Sequence, residues 1–338
     1  MQVTRDAEFA TREPRWQVWR PDILALLVLA LMTVVVCWHR FHYDNWLTRH
    51  DLLAYFEPWY GYLGNRLSHF QIPAWNPYIY SGTPFAGDPE SGWWYFPAML
   101  AFPFFTVATG FKVYILIQLV IAGSTTYALG RVLGFGVWGA MLAATVYEFG
   151  PFLYGQTDCC TVGTQLETWV PLALLGVELA YRSRRVYALL SWWFVTGLAI
   201  SQVILGWVGQ GSFDGMLVIA AWIGYRAIIS PVEDWSFLRR VVKAVVTGGV
   251  VVVAGLAIGA AGILPKLAFD SESTNPGGSY TGLVGAHDGA YLTFFQSIQA
   301  IFYTAYSSGS TAWGGTAIVL AILAIAFCGR NYAVPFFL

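Results

Sequence analysis

Eight apolar stretches dominate this sequence and limit what it can fold into. A helix of about 20 apolar residues crosses the roughly 30 Å hydrocarbon core of a bilayer, and inside lipid the backbone must be hydrogen-bonded within helices or closed barrels. We therefore predict an all-α polytopic membrane protein, with a tail at residues 1–21 and a transmembrane domain at 22–338. The predicted spans lie at 22–40, 111–130, 134–152, 168–181, 186–206, 214–229, 241–264 and 312–329.

The composition agrees with a membrane protein and argues against a nucleic-acid binder. Charged residues make up 11% of the chain and hydrophobic residues 57%, whereas about 25% of residues in a soluble domain are charged. The 18 basic and 19 acidic side chains nearly cancel. No basic run with interleaved aromatics provides a surface for nucleic acid, so membrane lipids are the expected surroundings.

The positive charges indicate how the chain is oriented. Thirteen of the 18 Lys and Arg residues fall on the side of the N-terminus, and five fall on the opposite side. Cytoplasmic loops retain positive charge. We expect a multi-pass protein of the plasma membrane with a cytoplasmic N-terminus. Its outer loops would be 41–110, 153–167 and 265–311, and these loops contain the unusual chemistry.

The first outer loop begins with two acidic candidates. Asp51 follows the first apolar stretch closely, and an ionisable residue beside lipid is a functional candidate. We expect Asp51 to be the catalytic residue, with a helix N-cap as the alternative. Glu57 is a second carboxylate that would bind substrate or cap a helix.

An amphipathic segment follows Asp51. Pro58 is expected to divide it into two short helices that lie in the membrane interface. Residues 93–107, interrupted by Pro97 and Pro103, are expected to form another interfacial or re-entrant element. The apolar residues of the first segment recur at helical spacing: Leu52, Phe56, Trp59, Leu63 and Leu67.

The string WNPYIYSGTPFAGDPE at 75–90 predicts a structured loop, because its prolines and glycines enforce turns. Trp75 and Tyr78 would either stack on a sugar or anchor the loop in the interface, since both uses suit flat amphipathic rings. Asn76 is a further substrate-binding candidate. Asp88 and Glu90, together with Asp51, suggest a site for a divalent cation; the alternative is a solvated acidic turn.

One basic residue stands out in the last outer loop. Lys266 is the only Lys or Arg between residues 244 and 329. It would either contact a lipid phosphate or extend from a helix end toward the headgroups. Arg49 and Arg66 are alternative phosphate partners. Gln210, after the fifth apolar stretch, is a substrate-binding candidate.

Several strings resemble the YfhO-like family of bacterial multi-pass membrane proteins. They are Asp51 with YFEPW, then IPAWNPYIYSGTPFAGDPESG, YFP, ETWVPLALL, GWVGQ and LPKLAFDSESTN, which together extend from residue 51 to about 280. This family resembles a branch of the GT-C glycosyltransferases. The sequence departs from the family pattern at Glu57, at Glu90 in place of a glutamine, and at 207–209, where a histidine is missing.

The resemblance implies a GT-C-like helical bundle whose first outer loop contains interfacial helices. It also implies a polyprenyl-phosphate sugar donor and an essential carboxylate, a role that falls to Asp51, with residues 76–90 in the same outer site. Family members are longer, so we expect this chain to be a fragment or a reduced member. A divalent cation is the candidate cofactor.

These observations predict a membrane glycosyltransferase. It would move a sugar from the polyprenyl-phosphate donor to an envelope glycan, lipid or protein acceptor on the outer face. The alternatives are a transporter or flippase of lipid-linked sugars and a non-catalytic envelope-assembly protein. The acidic residues lie mainly outside the apolar stretches, with Glu148 and Glu178 as the main exceptions. This distribution favours an enzyme over a translocation path.

Overall fold

A computed structural model describes residues 15–43, 51–150, 152–158, 161–206, 208–232, 234–272, 322, 325–326 and 331–337. Across these residues the chain is all-α, as predicted. The ten α-helices are α1 (Arg15–His42), α2 (Glu57–Ser68), α3 (Phe96–Ala101), α4 (Val107–Val132), α5 (Val137–Glu148), α6 (Thr161–Arg182), α7 (Val186–Gly206), α8 (Gln210–Ile228), α9 (Phe237–Glu272) and α10 (Val334–Phe337).

Four smaller elements complete the described architecture. A π-helical turn at Leu52–Phe56 leads into α2, and a 3₁₀ turn at Gly155–Asp158 precedes α6. Two short strands, β1 (Trp75–Asn76) and β2 (Thr83–Pro84), pair antiparallel, with Trp75 opposite Pro84 and Asn76 opposite Thr83. This hairpin lies in the connection between α2 and α3.

Four described helices are long and apolar enough to cross a membrane: Arg20–His42 in α1, Val107–Val132, Val186–Gly206 and Phe237–Glu272. They contain the predicted spans 22–40, 111–130, 186–206 and 241–264. These four predictions are confirmed as long apolar helices, and they indicate a multi-pass membrane protein.

The other four predicted spans have different outcomes. The stretch 134–152 is wrong as a span, because α5 has only 12 residues; Gly134 adopts a positive φ before it, and the helix ends at Glu148. The stretches 168–181 and 214–229 lie in α6 and α8, which are helical but fall outside the group of four apolar helices. The stretch 312–329 lies almost entirely outside the described residues.

The segment after Asp51 agrees with the prediction in part. It forms two short helical elements, the π-helical turn Leu52–Phe56 and α2, and Pro58 lies in the first turn of α2, where its missing N–H is tolerated. Its apolar face does not lie against lipid, because the bundle buries Leu52, Phe56, Trp59 and Leu63. The buried ring of Tyr60, for example, stacks on that of Phe102 with centroids 4.8 Å apart. α3 forms within the predicted 93–107 element.

Contacts between helix ends show that the bundle has two distinct ends. Arg131, near the end of α4, pairs with Asp22, near the start of α1, at 2.7 Å. Arg226, near the end of α8, pairs with Glu178 of α6 at 2.8 Å. We call the end of the bundle that contains these two ion pairs the basic end. The segment 51–106 and the last turns of α9 pack together at the opposite end, the loop end.

Candidate functional site

The chain that carries Asp88 and Glu90 is fixed to α9. The indole N–H groups of Trp93 and Trp94 donate to the carbonyls of Ala261 at 2.9 Å and Ile258 at 2.8 Å. Pro265 has no N–H, so it leaves the Ala261 carbonyl without its helical partner. Trp93 therefore satisfies a polar group that the proline exposes.

The turn before these tryptophans also lies directly on α9. A Cβ added at Gly87 would come within 2.7 Å of the Phe269 Cβ, so the close approach depends on the glycine. One turn earlier in α9, Lys266 is 1% exposed. Its Nζ donates to the backbone carbonyls of Asp88 and Pro89, both at 2.8 Å.

This placement corrects both expectations for Lys266. Its ammonium neither extends to the headgroups nor lies at the surface where it would meet a lipid phosphate. A buried ammonium must be hydrogen-bonded to offset its lost hydration, and the two carbonyls supply that bonding. Lys266 therefore stabilises the turn at 88–90 from the buried side.

The Asp88 side chain is held by two hydrogen bonds. Its Oδ1 accepts from the Tyr55 hydroxyl at 3.1 Å and from the Glu90 backbone N–H at 2.8 Å. Asp88 and Glu90 are both half-buried, so this acidic turn is only partly exposed to solvent. Tyr55, in the π-helical turn, joins the segment after Asp51 to the turn at 88–90.

Burial raises the pKa of both carboxyl groups in this turn. For Asp88 the Glu90 N–H, the Lys266 charge and the Tyr55 hydroxyl oppose the effect of burial. For Glu90 the negative charge of Asp88 raises the pKa further, Lys266 opposes this, and Asp51 adds a smaller increase. Glu90 therefore interacts electrostatically with both other acids, and we call Asp51, Asp88 and Glu90 the carboxylate cluster.

Asp51 occupies the exposed position of this cluster. It immediately precedes the π-helical turn, but its side chain makes no capping hydrogen bond there. Asp51 therefore stands at the N-cap position of this turn without capping it through its side chain. Its carboxylate is accessible to solvent, whereas Asp88 and Glu90 are partly withdrawn into the protein.

The remaining predicted site residues occupy varied positions. Glu57 is half-buried at the start of α2. Trp75 and Tyr78 are 54% and 83% exposed, whereas Asn76 is 1% exposed, and its Oδ1 accepts from the Tyr78 N–H at 3.0 Å. Asn76 is thus a buried turn residue in this structure. The side chain of Gln210 and all of Arg49 lie outside the described residues.

The predicted divalent-cation site is not formed as a set of three carboxylates. Among the described residues, no three His, Cys, Asp or Glu side chains are grouped so that they could hold one metal ion. One reason is that Asp88 directs Oδ1 to Tyr55 and to its own turn.

Sequence reasoning missed a buried polar network beneath the cluster. Gln165 of α6 donates to the Tyr60 hydroxyl at 2.5 Å. Tyr95 donates to Gln118 of α4 at 3.0 Å and accepts from the Trp169 indole at 3.0 Å. Burial raises the pKa of Tyr60 to about 12, and the charge of Glu90 contributes to that increase. The glutamine inside the apolar run 111–130 was the one available sequence signal.

Compared with protein-family models, curated proteins and solved structures, the chain matches none of them. The resemblance of its loop strings to the YfhO-like family therefore stays a prediction from the sequence.

Proposed function

We propose that this protein is a membrane glycosyltransferase of the GT-C type, which transfers a sugar from a polyprenyl-phosphate donor to an acceptor at the outer membrane face. The observation that carries the proposal is the carboxylate cluster at the loop end. It joins an exposed acid, Asp51, to two partly buried acids of raised pKa. Perturbed carboxyl groups of this kind are common at functional sites.

The distribution of positive charge supports an outer location for the cluster. Arg131, Arg182 and Arg226 lie at the basic end, and the positive-inside rule assigns that end to the cytoplasm. The loop end would then face outward. A lipid-linked sugar at the outer headgroup layer would lie at the level of the cluster.

The proposed reaction gives the three acids different roles. Asp51 accepts the proton of the acceptor hydroxyl, and that oxygen attacks the anomeric carbon of the donor sugar. The bond from that carbon to the phosphate oxygen breaks, and the polyprenyl phosphate leaves with the bonding electrons. Asp88 and Glu90 orient acceptor hydroxyls, while Tyr55 and Lys266 position the two acids.

A groove between α1 and α4 supports a lipid substrate. It has a volume of about 430 Å³ and reaches the loop end at Lys112, whose ammonium donates to the Phe41 carbonyl at 2.9 Å. An isoprenoid chain would suit the apolar part, and we expect its phosphate to lie near Lys112. Its lining residues are Val34, Trp38, Phe41, His42, Lys112 and Leu116.

The test is transfer by the purified protein in detergent, using a panel of polyprenyl-phosphate sugars as donors. We expect one donor to be consumed by the wild type. Asp51→Asn should lower turnover by about 10²- to 10⁴-fold, which is the usual contribution of a positioned base. Asp270→Asn is the matched control, because Asp270 is an exposed acid in the last turn of α9.

Two results would contradict the proposal. One is wild-type turnover by Asp51→Asn, and the other is a complete lack of donor consumption by the wild type. Movement of an intact donor across sealed vesicles would instead favour a flippase. One observation favours a flippase: Glu148 of α5 is fully buried and accepts a hydrogen bond from Thr33 of α1. Carboxyl groups buried inside a membrane bundle are typical of transport paths.

A further inference from the structure

The connection between α2 and α3 exposes several large apolar and aromatic side chains. Five of them are 54% to 99% exposed. Exposed apolar patches mark surfaces that contact proteins or membranes. We call these five residues the aromatic tip: Phe70, Ile72, Trp75, Tyr78 and Tyr80.

The exposure is built into a rigid loop. The Tyr62 hydroxyl donates to the Trp75 carbonyl at 2.5 Å, and Phe85 stacks on Trp59 with centroids 4.8 Å apart. Asn76 is buried while its neighbour Trp75 is exposed. A loop that buries an amide and exposes an indole has the pattern of a segment that contacts an apolar medium.

The backbone is strained where the tip is formed. Phe70, Tyr80 and Ser81 have φ values of 55°, 53° and 63°, a region that residues other than glycine rarely adopt. Such conformations persist where the surroundings hold them in place and are common at functional surfaces. Holding the side chains of the tip outward therefore costs backbone conformational energy.

The charge of this stretch suits a lipid headgroup layer. From residue 58 to residue 87 the sequence contains no Asp or Glu, and Arg66 is its only Lys or Arg. Glu57 and Asp88 border this stretch on its two sides. An apolar tip that itself carries no carboxylate and lies near one arginine is complementary to phospholipid phosphates above and acyl chains below.

A second set of exposed apolar residues lies next to a candidate membrane span. Leu100, Phe104 and Phe105 are 61%, 74% and 46% exposed, and they come just before α4, a candidate membrane span. Gly64 lies against the Phe102 backbone, so the end of α2, from which the tip departs, is at the level of these residues.

We propose that the aromatic tip inserts into the interface of the outer leaflet, where aromatic rings with polar groups are favoured. The occupant of this surface is the phospholipid bilayer in which α4 lies. Trp75 and Tyr78 then anchor the loop, and the sugar-stacking alternative does not apply to them. Insertion would hold the turn at 88–90 at a fixed depth. The inference does not depend on glycosyl transfer.

The test is photo-crosslinking of the full chain in vesicles of phosphatidylcholine and phosphatidylglycerol. A diazirine-bearing residue replaces Tyr78 or Phe70, and mass spectrometry identifies what it has captured. The matched control position is Asn65, an exposed polar residue of α2. We expect phospholipid adducts at positions 78 and 70, and much weaker lipid labelling at position 65.

Other outcomes overturn the proposal. Adducts to another segment of this chain would show that the protein itself covers the tip. Quenching by water alone would show a solvent-facing loop, and equal lipid labelling at position 65 would show no selective insertion. Because Tyr78 and Phe70 are 83% and 99% exposed, their replacement leaves the packed core intact, which gel filtration of each variant checks.

Discussion

The indole N–H of Trp93 lies 2.9 Å from the carbonyl oxygen of Ala261, one helical hydrogen-bond step before Pro265. Pro265 in α9 lacks the backbone N–H that would bond this carbonyl. The indole N–H of Trp93, far away in the sequence, takes its place. The same contact region places Lys266 beneath the turn at 88–90. The position of the carboxylate cluster therefore depends on a break in the regular bonding of a membrane helix.

Trp93→Phe should destabilise the protein. The phenyl ring fills most of the space but donates no hydrogen bond, so the Ala261 carbonyl loses its partner. A buried polar group left unpaired costs about 1–3 kcal/mol. Thermal unfolding in detergent would detect a lower Tm. Trp138→Phe is the control because Trp138 is 82% exposed, and equal Tm values for both variants would contradict the hydrogen bond.

Lys266→Met should disturb the carboxylate cluster. Methionine has a similar length but leaves two backbone carbonyls without donors, at about 1–3 kcal/mol for each group that stays unpaired. The nearby carboxylates also lose a compensating charge. We expect a lower unfolding free energy and weaker transfer. Arg184→Met, at an exposed position, should change neither, and an unchanged Lys266→Met protein would refute the supporting role.

Glu90→Gln should change how stability depends on pH. The folded state raises the pKa of Glu90 through burial, so it binds the proton more tightly than the unfolded chain, where a glutamate pKa is about 4.3. This group therefore lowers the unfolding free energy as pH rises from about 4.3 through the raised folded pKa.

Urea unfolding of a detergent-solubilised sample at several pH values measures this effect. The Gln variant should lose less stability with rising pH than the wild type over that window. Glu272→Gln provides the comparison, because Glu272 is exposed at the end of α9. Identical pH slopes for the wild type and Glu90→Gln would contradict the raised pKa.

Gly64→Ala and Gly224→Ala should have opposite effects. A Cβ at Gly64 would come within 2.9 Å of the Phe102 carbonyl carbon, which is backbone and cannot rotate away. Overpacking of this kind costs about 1–3 kcal/mol. A Cβ at Gly224, within α8, meets no atom within 4 Å, and Ala there should stabilise the helix by about 0.5–1 kcal/mol. Two Tm shifts of the same sign would refute the described packing of α2 on Phe102.

The apolar face of the segment after Asp51 shows where sequence reasoning stops. The spacing of Leu52, Phe56 and Trp59 predicted which side chains would be shielded from water, and all three are buried. The same spacing does not distinguish lipid from protein as the partner, because both are apolar. The aromatic rings of Tyr60 and Phe102 decide this in favour of protein.

The sequence by itself determined the class of protein: an all-α chain with long apolar helices, four of the eight predicted spans being confirmed as such, and a loop in which proline and glycine enforce turns. These properties arise from local composition and periodicity, which every short window of the chain carries. Only the tertiary structure decided that Lys266 lies buried against Asp88, 178 residues away, and that Glu90 interacts with Asp88 and Asp51. Burial and the charges of distant neighbours set these properties, and both exist only once α9 packs against the first loop.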